Sequence, residues 1–377
     1  MKVFKRRFGK GVNVSLFTLG TMRVASSEVM LSILKEARLA GINHIETSPA
    51  YGLTQKFLGE ALQKLNSQPA RYQQKWVITS KVLPGISFIK GQKQLRDTLK
   101  DLRLESIDNL AVHGLNLWEH LHWAIYGDGF KLIQWALRKN LVKQWGFTSH
   151  GSQELIQEAI KTGQFNFCSL HLHLLDQERI PLAQLALNSG MGVMAISPAD
   201  KGGHLHSPSK TLIKDCAPIH PLKLAYRYLL SNGISTLTLG ASGPEDLTLA
   251  KELSSSDGKL TQEEESAIKN LQTEGRRRLG KTFCGQCREC LPCPKEVPIT
   301  EILRLRNLSI GHDLQSFAKE RYNLIGKAGH WWERYNASAC ERCGECLPRC
   351  PNNLKIPDLL EETHKKLLDK PLRRLWG

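Results

Sequence analysis

The sequence predicts an α/β protein: a (β/α)8 barrel followed by a small, mainly helical module rich in cysteine. Three observations carry that prediction. From Val14 to about Leu253, a short apolar run, a loop of Gly, Ser, Pro or His, and a longer amphipathic stretch recur eight times. After Leu253 the composition shifts, and eight of the ten cysteines fall in the last quarter of the chain. The length of 377 residues suits one domain of roughly 250 residues and another of about 100.

The strands expected in order are 14–20, 44–47, 76–82, 107–113, 142–148, 167–174, 192–197 and 235–240, each apolar or β-branched. The helices between them are 28–40, 54–65, 92–102, 130–139, 152–162, 181–188, 219–231 and 244–253. In 28–40, Val29, Met30, Ile33, Leu34, Ala37 and Ala40 follow the helical spacing, and Gly41 is placed to end the helix. An open doubly wound sheet is the alternative, but the first loop, LGTM, lacks its G-x-G-x-x-G fingerprint. Beyond the barrel, SSSDGK reads as a linker, TQEEESAIKNLQ as a helix with an acidic first turn, and GRRRLGK as a basic joint. The domains expected are 1–270 and 271–377.

Hydrophobic residues at 41% and charged residues at 23% exclude a disordered chain. A net charge of +16 suits an acidic partner, but the basic residues are spread along the chain without a nucleic-acid motif, so none is expected to bind. The start, MKVFKRRFGKGVNVSLFTLG, has no uninterrupted apolar core for a signal peptide. No apolar run approaches the roughly 18 to 20 residues of a bilayer span, and a cytoplasmic location is expected, with thiols reduced.

The cysteines form two runs: Cys284, Cys287, Cys290 and Cys293 followed by Pro294, and Cys340, Cys343, Cys346 and Cys350 followed by Pro351. Gaps of two residues let successive thiolates curl around one face of a cubane. The second run matches the bacterial ferredoxin pattern in full, and the first is one residue short before its last cysteine. The repeat implies two [4Fe-4S] clusters, or at least one: Cys284, Cys287, Cys290 and Cys350 around one, Cys340, Cys343, Cys346 and Cys293 around the other. Zinc held by Cys-x-x-Cys pairs is the alternative. Cys168 and Cys216 are left over as buried or incidental residues.

In a parallel barrel, chemistry sits after the strand ends. There stand Glu46-Thr47-Ser48-Pro49-Ala50-Tyr51-Gly52, then Thr79-Ser80-Lys81, then Val112-His113-Gly114. With its order of acid, tyrosine, lysine and histidine, the run GINHIETSPAYG resembles the aldo-keto reductase signature over roughly 1–255, and the cysteine tail resembles a subgroup with a C-terminal ferredoxin-type domain. The resemblance implies an NAD(P)H-dependent oxidoreductase that reduces a small aldehyde or ketone. Tyr51 would give its proton to the developing alkoxide, helped by Lys81, whose ammonium is expected to lower the phenol's pKa. His113 would orient the carbonyl, and Glu46 would hold Lys81 charged. The family normally has Asp at position 46; Glu is one methylene longer and must reach Lys81 differently.

The same resemblance implies a dinucleotide site along the last strands: Gly20 and Thr21 after the first strand, Thr148 and Ser149 on the nicotinamide carboxamide, and Ser169 where the family usually has Gln. Ser197, Gly202 and Gly203 in SPADKGG, and Gly240 and Ser242 in LGASGPEDL, sit in loops of the kind that bind phosphate. NADP(H) is favoured as the family cofactor, and NAD(H) stays open because Asp246 would repel a 2′-phosphate. The basic flanks of the cysteine module suit an acidic electron carrier such as ferredoxin or flavodoxin. The clusters would couple the barrel to that carrier or sense redox state. The competing function is an electron-transfer or redox-sensing protein on a barrel that has lost hydride chemistry.

Overall fold

The computed structural model describes residues 3–67, 74–199, 201, 203–256 and 258–370. In chain order the strands are β1 (Lys5–Arg7), β2 (Asn13–Ser15), β3 (Phe17–Gly20), β4 (His44–Glu46), β5 (Val77–Val82), β6 (Ile107–Val112), β7 (Val142–Ser149), β8 (Phe167–Leu170), β9 (Gly192–Ala195) and β10 (Thr236–Gly240). Among the described residues, β3 to β10 close a parallel barrel in sequence order, with β10 pairing β3. The predicted (β/α)8 architecture is therefore present.

The helices of the barrel are α1 (Ser27–Leu39), α2 (Thr54–Asn66), α3 (Phe88–Leu102), α4 (Trp118–Ile125), α5 (Asp128–Arg138), α6 (Gln153–Lys161) and α7 (Ile180–Asn188). Local chemistry starts several of them: Ser26, Ser87 and Ser152 each accept a backbone N–H from the first turn. In α1, Met30, Ile33, Leu34 and Ala37 are all buried, as their three-to-four spacing requires.

The expected first strand, 14–20, is instead two elements. β1 and β2 form an antiparallel hairpin, and β3 begins after Leu16. The hairpin carries Phe8, fully buried in a cluster with Val14, Val77, Ala111, Phe167 and Met194. Its ring lies 5.0 Å from Phe167 and 5.2 Å from His44. Phe8 closes the N-terminal end of the barrel, and truncating a buried Phe of this kind costs about 3–5 kcal/mol.

Two compact units divide the chain: 1–198 with 226–259, and 199–225 with 260–377. α8 (Lys210–Cys216) and α9 (Pro221–Ser231), then α10 (Thr248–Leu253), precede the second unit's main helices. Those are α11 (Gln262–Leu279), α12 (Ile299–Gly311), α13 (Gln315–Tyr322) and α14 (Ile356–Leu367). The GRRRLGK segment does not form a joint: α11 continues through it to Leu279. Three causes act there. Thr261 and Glu264 form a capping box, the arginines face the negative end of the helix dipole, and Arg278 pairs twice with buried Asp215, at 2.6 and 2.7 Å. Gly275 lies so close to His312 that an added Cβ would stand 2.6 Å from the ring. Among the described residues, no helix is long and apolar enough to cross a membrane.

Candidate active site and cofactor regions

The C-terminal ends of β4, β5 and β6 bring together the four residues that the sequence singled out. Glu46 ends β4, Lys81 stands one residue before the end of β5, His113 follows β6, and Tyr51 lies between β4 and α2. Glu46 and Lys81 are only 4% and 3% exposed, so each charge needs a partner. Lys81 Nζ pairs with Glu46 Oε1. It also donates to Tyr51 Oη at 2.6 Å and to the Thr47 carbonyl at 3.4 Å. The Tyr51 hydroxyl in turn reaches Glu46 Oε1 at 3.4 Å. The longer acid thus reaches the lysine without losing the phenol.

His113 meets the Tyr51 ring edge-on, 5.9 Å between centroids. Its Nδ1 stands 3.2 Å from Ser48 Oγ. Ser48 was missed as a site residue, although it sits two positions beyond Glu46 and so shares its face of the chain.

Burial pushes the Tyr51 phenol above its ordinary value and the Lys81 amine well below its own. The expectation that Lys81 lowers the phenol is corrected in sign. Removing water from a phenolate costs more than this neighbour returns, because the same burial disfavours the ammonium. The phenol is held as a proton donor.

The residues predicted for the dinucleotide are placed unevenly. Gly20 ends β3, where a Cβ would stand 2.9 Å from Thr238 Cγ2 and 3.1 Å from the Leu239 carbonyl; only glycine fits. Thr21 spends its hydroxyl on Thr47 at 2.9 Å. Thr148 Oγ1 accepts from Gly114 N–H at 2.9 Å, and Ser149 Oγ donates to the Leu115 carbonyl at 2.6 Å, so both lace β7 to the loop after β6. Ser169, opposite Thr148 and Met194 in the barrel, has a fully shielded hydroxyl with no hydrogen-bond partner among the described residues. Thr238 Oγ1 is in the same state. Such buried orphans cost about 1–3 kcal/mol each.

Ser197 belongs to the barrel unit and adopts φ +49°, whereas Gly203, at φ +121°, belongs to the second unit. Gly202 lies outside the described residues. Gly240 is exposed with Arg23 beside it, a rim cation that the sequence reading overlooked. The Ser242 and Gly243 amides, expected to face phosphate, donate to Asp246 Oδ2 at 2.7 and 3.4 Å. An internal carboxylate occupies the donors of that loop.

Three histidines at the strand ends were also missed. His150 Nε2 and His171 Nε2 are 3.2 Å apart, and the His171 and His173 rings are 5.7 Å apart. The signal was available: His150 directly follows Ser149, and His171-x-His173 directly follows β8.

In the second unit, one cavity is lined by Cys293, Cys340, Cys343 and Cys346, with Lys295 and Arg349 at its wall. Burial pushes the Cys346 thiol up, and neighbouring Cys340, Cys343 and Cys293 add to it. Cys290 is pushed up to about 12 by burial and then by Cys284, Cys287 and Cys346. Cys350 is buried and accepts from Leu354 N–H at 3.5 Å. Among the described residues, no three His, Cys, Asp or Glu side chains stand close enough to share a single metal ion. Cys168 and Cys216 are buried, with thiols pushed up to about 12 by that burial.

Residues 17–273 match the pattern of the aldo/keto reductase family. The chain is 22% identical over 274 residues to the uncharacterized oxidoreductase YtbE of Bacillus subtilis, covering 71% of this chain and 92% of that one. Its fold resembles the holo form of aldo-keto reductase AKR11C1 from Bacillus halodurans, with a TM-score of 0.60 at 20% identity over 71% of this chain and 96% of that one. It also resembles a Bombyx mori aldo-keto reductase in complex with NADP, with a TM-score of 0.55 at 18% identity over 71% and 92% of the two chains.

Proposed function

The chain belongs to the aldo/keto reductase family and is an oxidoreductase, and from that premise we propose that it reduces a small aldehyde or ketone with NAD(P)H through Tyr51, Lys81, His113 and Glu46. The observation that carries this reading is the 2.6 Å bond from Lys81 Nζ to the Tyr51 hydroxyl, beside the buried Glu46.

When bound, the dinucleotide supplies the hydride. Tyr51 gives its proton to the carbonyl oxygen, and its raised pKa keeps that proton in place until the oxygen becomes more basic. Lys81 fixes the phenol's position and steadies its oxygen as the proton leaves. Glu46 holds Lys81, and Ser48 fixes the His113 ring that faces the substrate. Ser169 and Thr238 are proposed to meet the carboxamide, on the strength of their orphaned hydroxyls. Gly20, Thr21, Thr148, Ser149, Ser197, Gly202, Gly203, Gly240 and Ser242 complete the proposed cofactor set. NADP(H) is favoured through the family, and the Bombyx mori aldo-keto reductase of similar fold is described as a complex with NADP.

The domains are proposed as 1–270 and 271–377. Four thiols around one cavity form the donor set that a [4Fe-4S] cluster takes. Cys293, Cys340, Cys343 and Cys346 would hold one cluster and Cys284, Cys287, Cys290 and Cys350 the other, supplying single-electron transfer or a redox-sensitive brace. An acidic carrier is proposed as partner from the basic flanks of the module alone, because Glu341 and Glu345 balance Lys295 and Arg349 at the first cavity and Glu341 pairs with Lys295 at 2.9 Å. The second reading, electron transfer or redox sensing without hydride chemistry, is favoured by one observation: Asp246 occupying the Ser242 and Gly243 amides.

A fluorescence titration with NADPH and then NADH, on anaerobically purified protein whose iron, sulfide and zinc have been counted, tests the proposal. Saturable binding supports the reductase. No binding to either nucleotide by fully clustered protein overturns it.

A further inference from the structure

Beneath the Glu46–Lys81 pair, the barrel interior carries a polar layer where bulky branched side chains usually pack. Thr18, His44, Thr79, Asn109, Gln144 and Thr236 are all at most 2% exposed, and hydrogen bonds join them in one line across six adjacent strands. Gln144 Nε2 meets Asn109 Oδ1 at 2.6 Å, and Asn109 Nδ2 meets Thr79 Oγ1 at 2.8 Å. Thr79 Oγ1 is 2.7 Å from His44 Nε2, His44 Nδ1 is 2.7 Å from Thr18 Oγ1, and Thr18 Oγ1 is 2.7 Å from Thr236 Oγ1.

The backbone fixes the direction of this line. Gln144 Oε1 accepts from Lys10 N–H at 3.1 Å, and Gln144 Nε2 donates to the Phe8 carbonyl at 3.1 Å. A carbonyl cannot donate and an amide N–H cannot accept, so the Gln144 amide has one orientation. Its Nε2 must then donate to Asn109 Oδ1, which turns the Asn109 amide so that Nδ2 donates to Thr79. Thr79, already an acceptor there, has one hydroxyl proton left, and His44 Nε2 is the acceptor in line with it. His44 therefore carries its proton on Nδ1, gives that bond to Thr18, and Thr18 gives its own to Thr236. A neutral ring is what this pattern needs, and burial holds the His44 pKa down to about 3.

The placement ties this layer to the chemistry. His44 lies two residues before Glu46 on β4, and Thr79 two residues before Lys81 on β5, so each shares its neighbour's face one layer lower. The His44–Thr79 bond clamps β4 to β5 directly below the pair.

We infer that His44, held as the Nδ1–H tautomer by a directed hydrogen-bond chain from Gln144 to Thr236, is a positioning residue for Lys81 and Glu46. The inference rests on the proposed reductase function for its kinetic consequence, but the tautomer does not.

The first experiment is nitrogen NMR of the native protein labelled at histidine, with H44Q identifying the signal. A protonated Nδ1 and a bare Nε2 at neutral pH are expected. A protonated Nε2 would overturn the directed chain, whatever the protein catalyses. The second compares native, H44Q, H44F and T79V in NADPH oxidation with 4-nitrobenzaldehyde as probe. Gln offers one acceptor and one donor on a planar group and should hold kcat within about 3-fold. H44F and T79V break the clamp and should lose about 10-fold or more in kcat with the NADPH KM unchanged, since small displacements of a reacting group are costly. Native kcat in T79V, or equal losses in H44Q and H44F, would refute the positioning role. Should H44F not fold, T79V, which deletes one hydroxyl with little change of shape, decides. No turnover by any form, including native protein, would count against the reductase reading while the NMR result still judges the chain.

Discussion

Replacing Glu46 by Gln leaves Lys81 in a site where it is 3% exposed, without its carboxylate. Breaking a buried pair by removing one partner costs about 3–5 kcal/mol. The lower end is expected here, because burial already draws Lys81 toward its neutral form and Tyr51 and Thr47 still receive its N–H groups. K81M should cost roughly 3 kcal/mol as well, since the Tyr51 hydroxyl alone, at 3.4 Å, then faces the Glu46 carboxylate. The double variant E46Q/K81M buries no net charge and should lose only about 1–2 kcal/mol. Equilibrium urea unfolding of the four proteins closes the cycle, and a favourable coupling of about 4–5 kcal/mol is expected. If the single losses simply added up in the double variant, the two side chains would be acting independently and the account of Lys81 as a lysine held by Glu46 would fail.

Three further outcomes follow from particular contacts. His44 is depressed from 6.5 to about 3, so between those pH values the unfolded chain binds a proton that the native barrel does not. Its contribution to stability is intact above pH 6.5 and falls as pH drops toward 3, by roughly 5 kcal/mol at 1.36 kcal/mol per pH unit; acid unfolding monitored by circular dichroism should show a shallower loss in H44F. D246N should tighten NADPH binding by about 5-fold or more, because it removes the charge now taking the Ser242 and Gly243 amides and the repulsion of a 2′-phosphate; titration by fluorescence reads this directly, and an unchanged Kd would remove that loop from the cofactor site. C293S should lower bound iron and disturb the electron paramagnetic signal of one cluster more than the other, as expected if Cys293 completes the cavity with Cys340, Cys343 and Cys346.

Much of this was legible in the sequence because the information was local. Eight strand-and-helix units each carry their own periodicity, and Glu46 and Lys81 at the ends of their strands, with Tyr51 and His113 in the loops that follow, fall where a barrel gathers its side chains. Two kinds of feature were not. Boundaries that depend on tertiary partners went wrong: β1 and β2 fold back because Phe8 has the barrel floor to fill, and α11 runs through its arginines because Arg278 finds Asp215. Likewise, a polar layer such as Thr18–His44–Thr79–Asn109 has no periodic signature, since each member looks like an ordinary strand residue until the strands are paired. The sign of the Tyr51 shift was misread for a related reason. A neighbouring charge can be guessed from spacing, but burial can only be measured in the folded chain.

The central claim is that Tyr51 is the proton donor of a carbonyl reduction supported by Lys81. The direct measurement is carbonyl-dependent NADPH oxidation by native protein and by Y51F, with NADPH affinity measured on both. Turnover in the native protein, loss of at least about 100-fold in Y51F, and equal NADPH affinity are predicted. Undiminished turnover in Y51F, or no turnover in nucleotide-bound native protein across aldehydes and ketones, would contradict the claim.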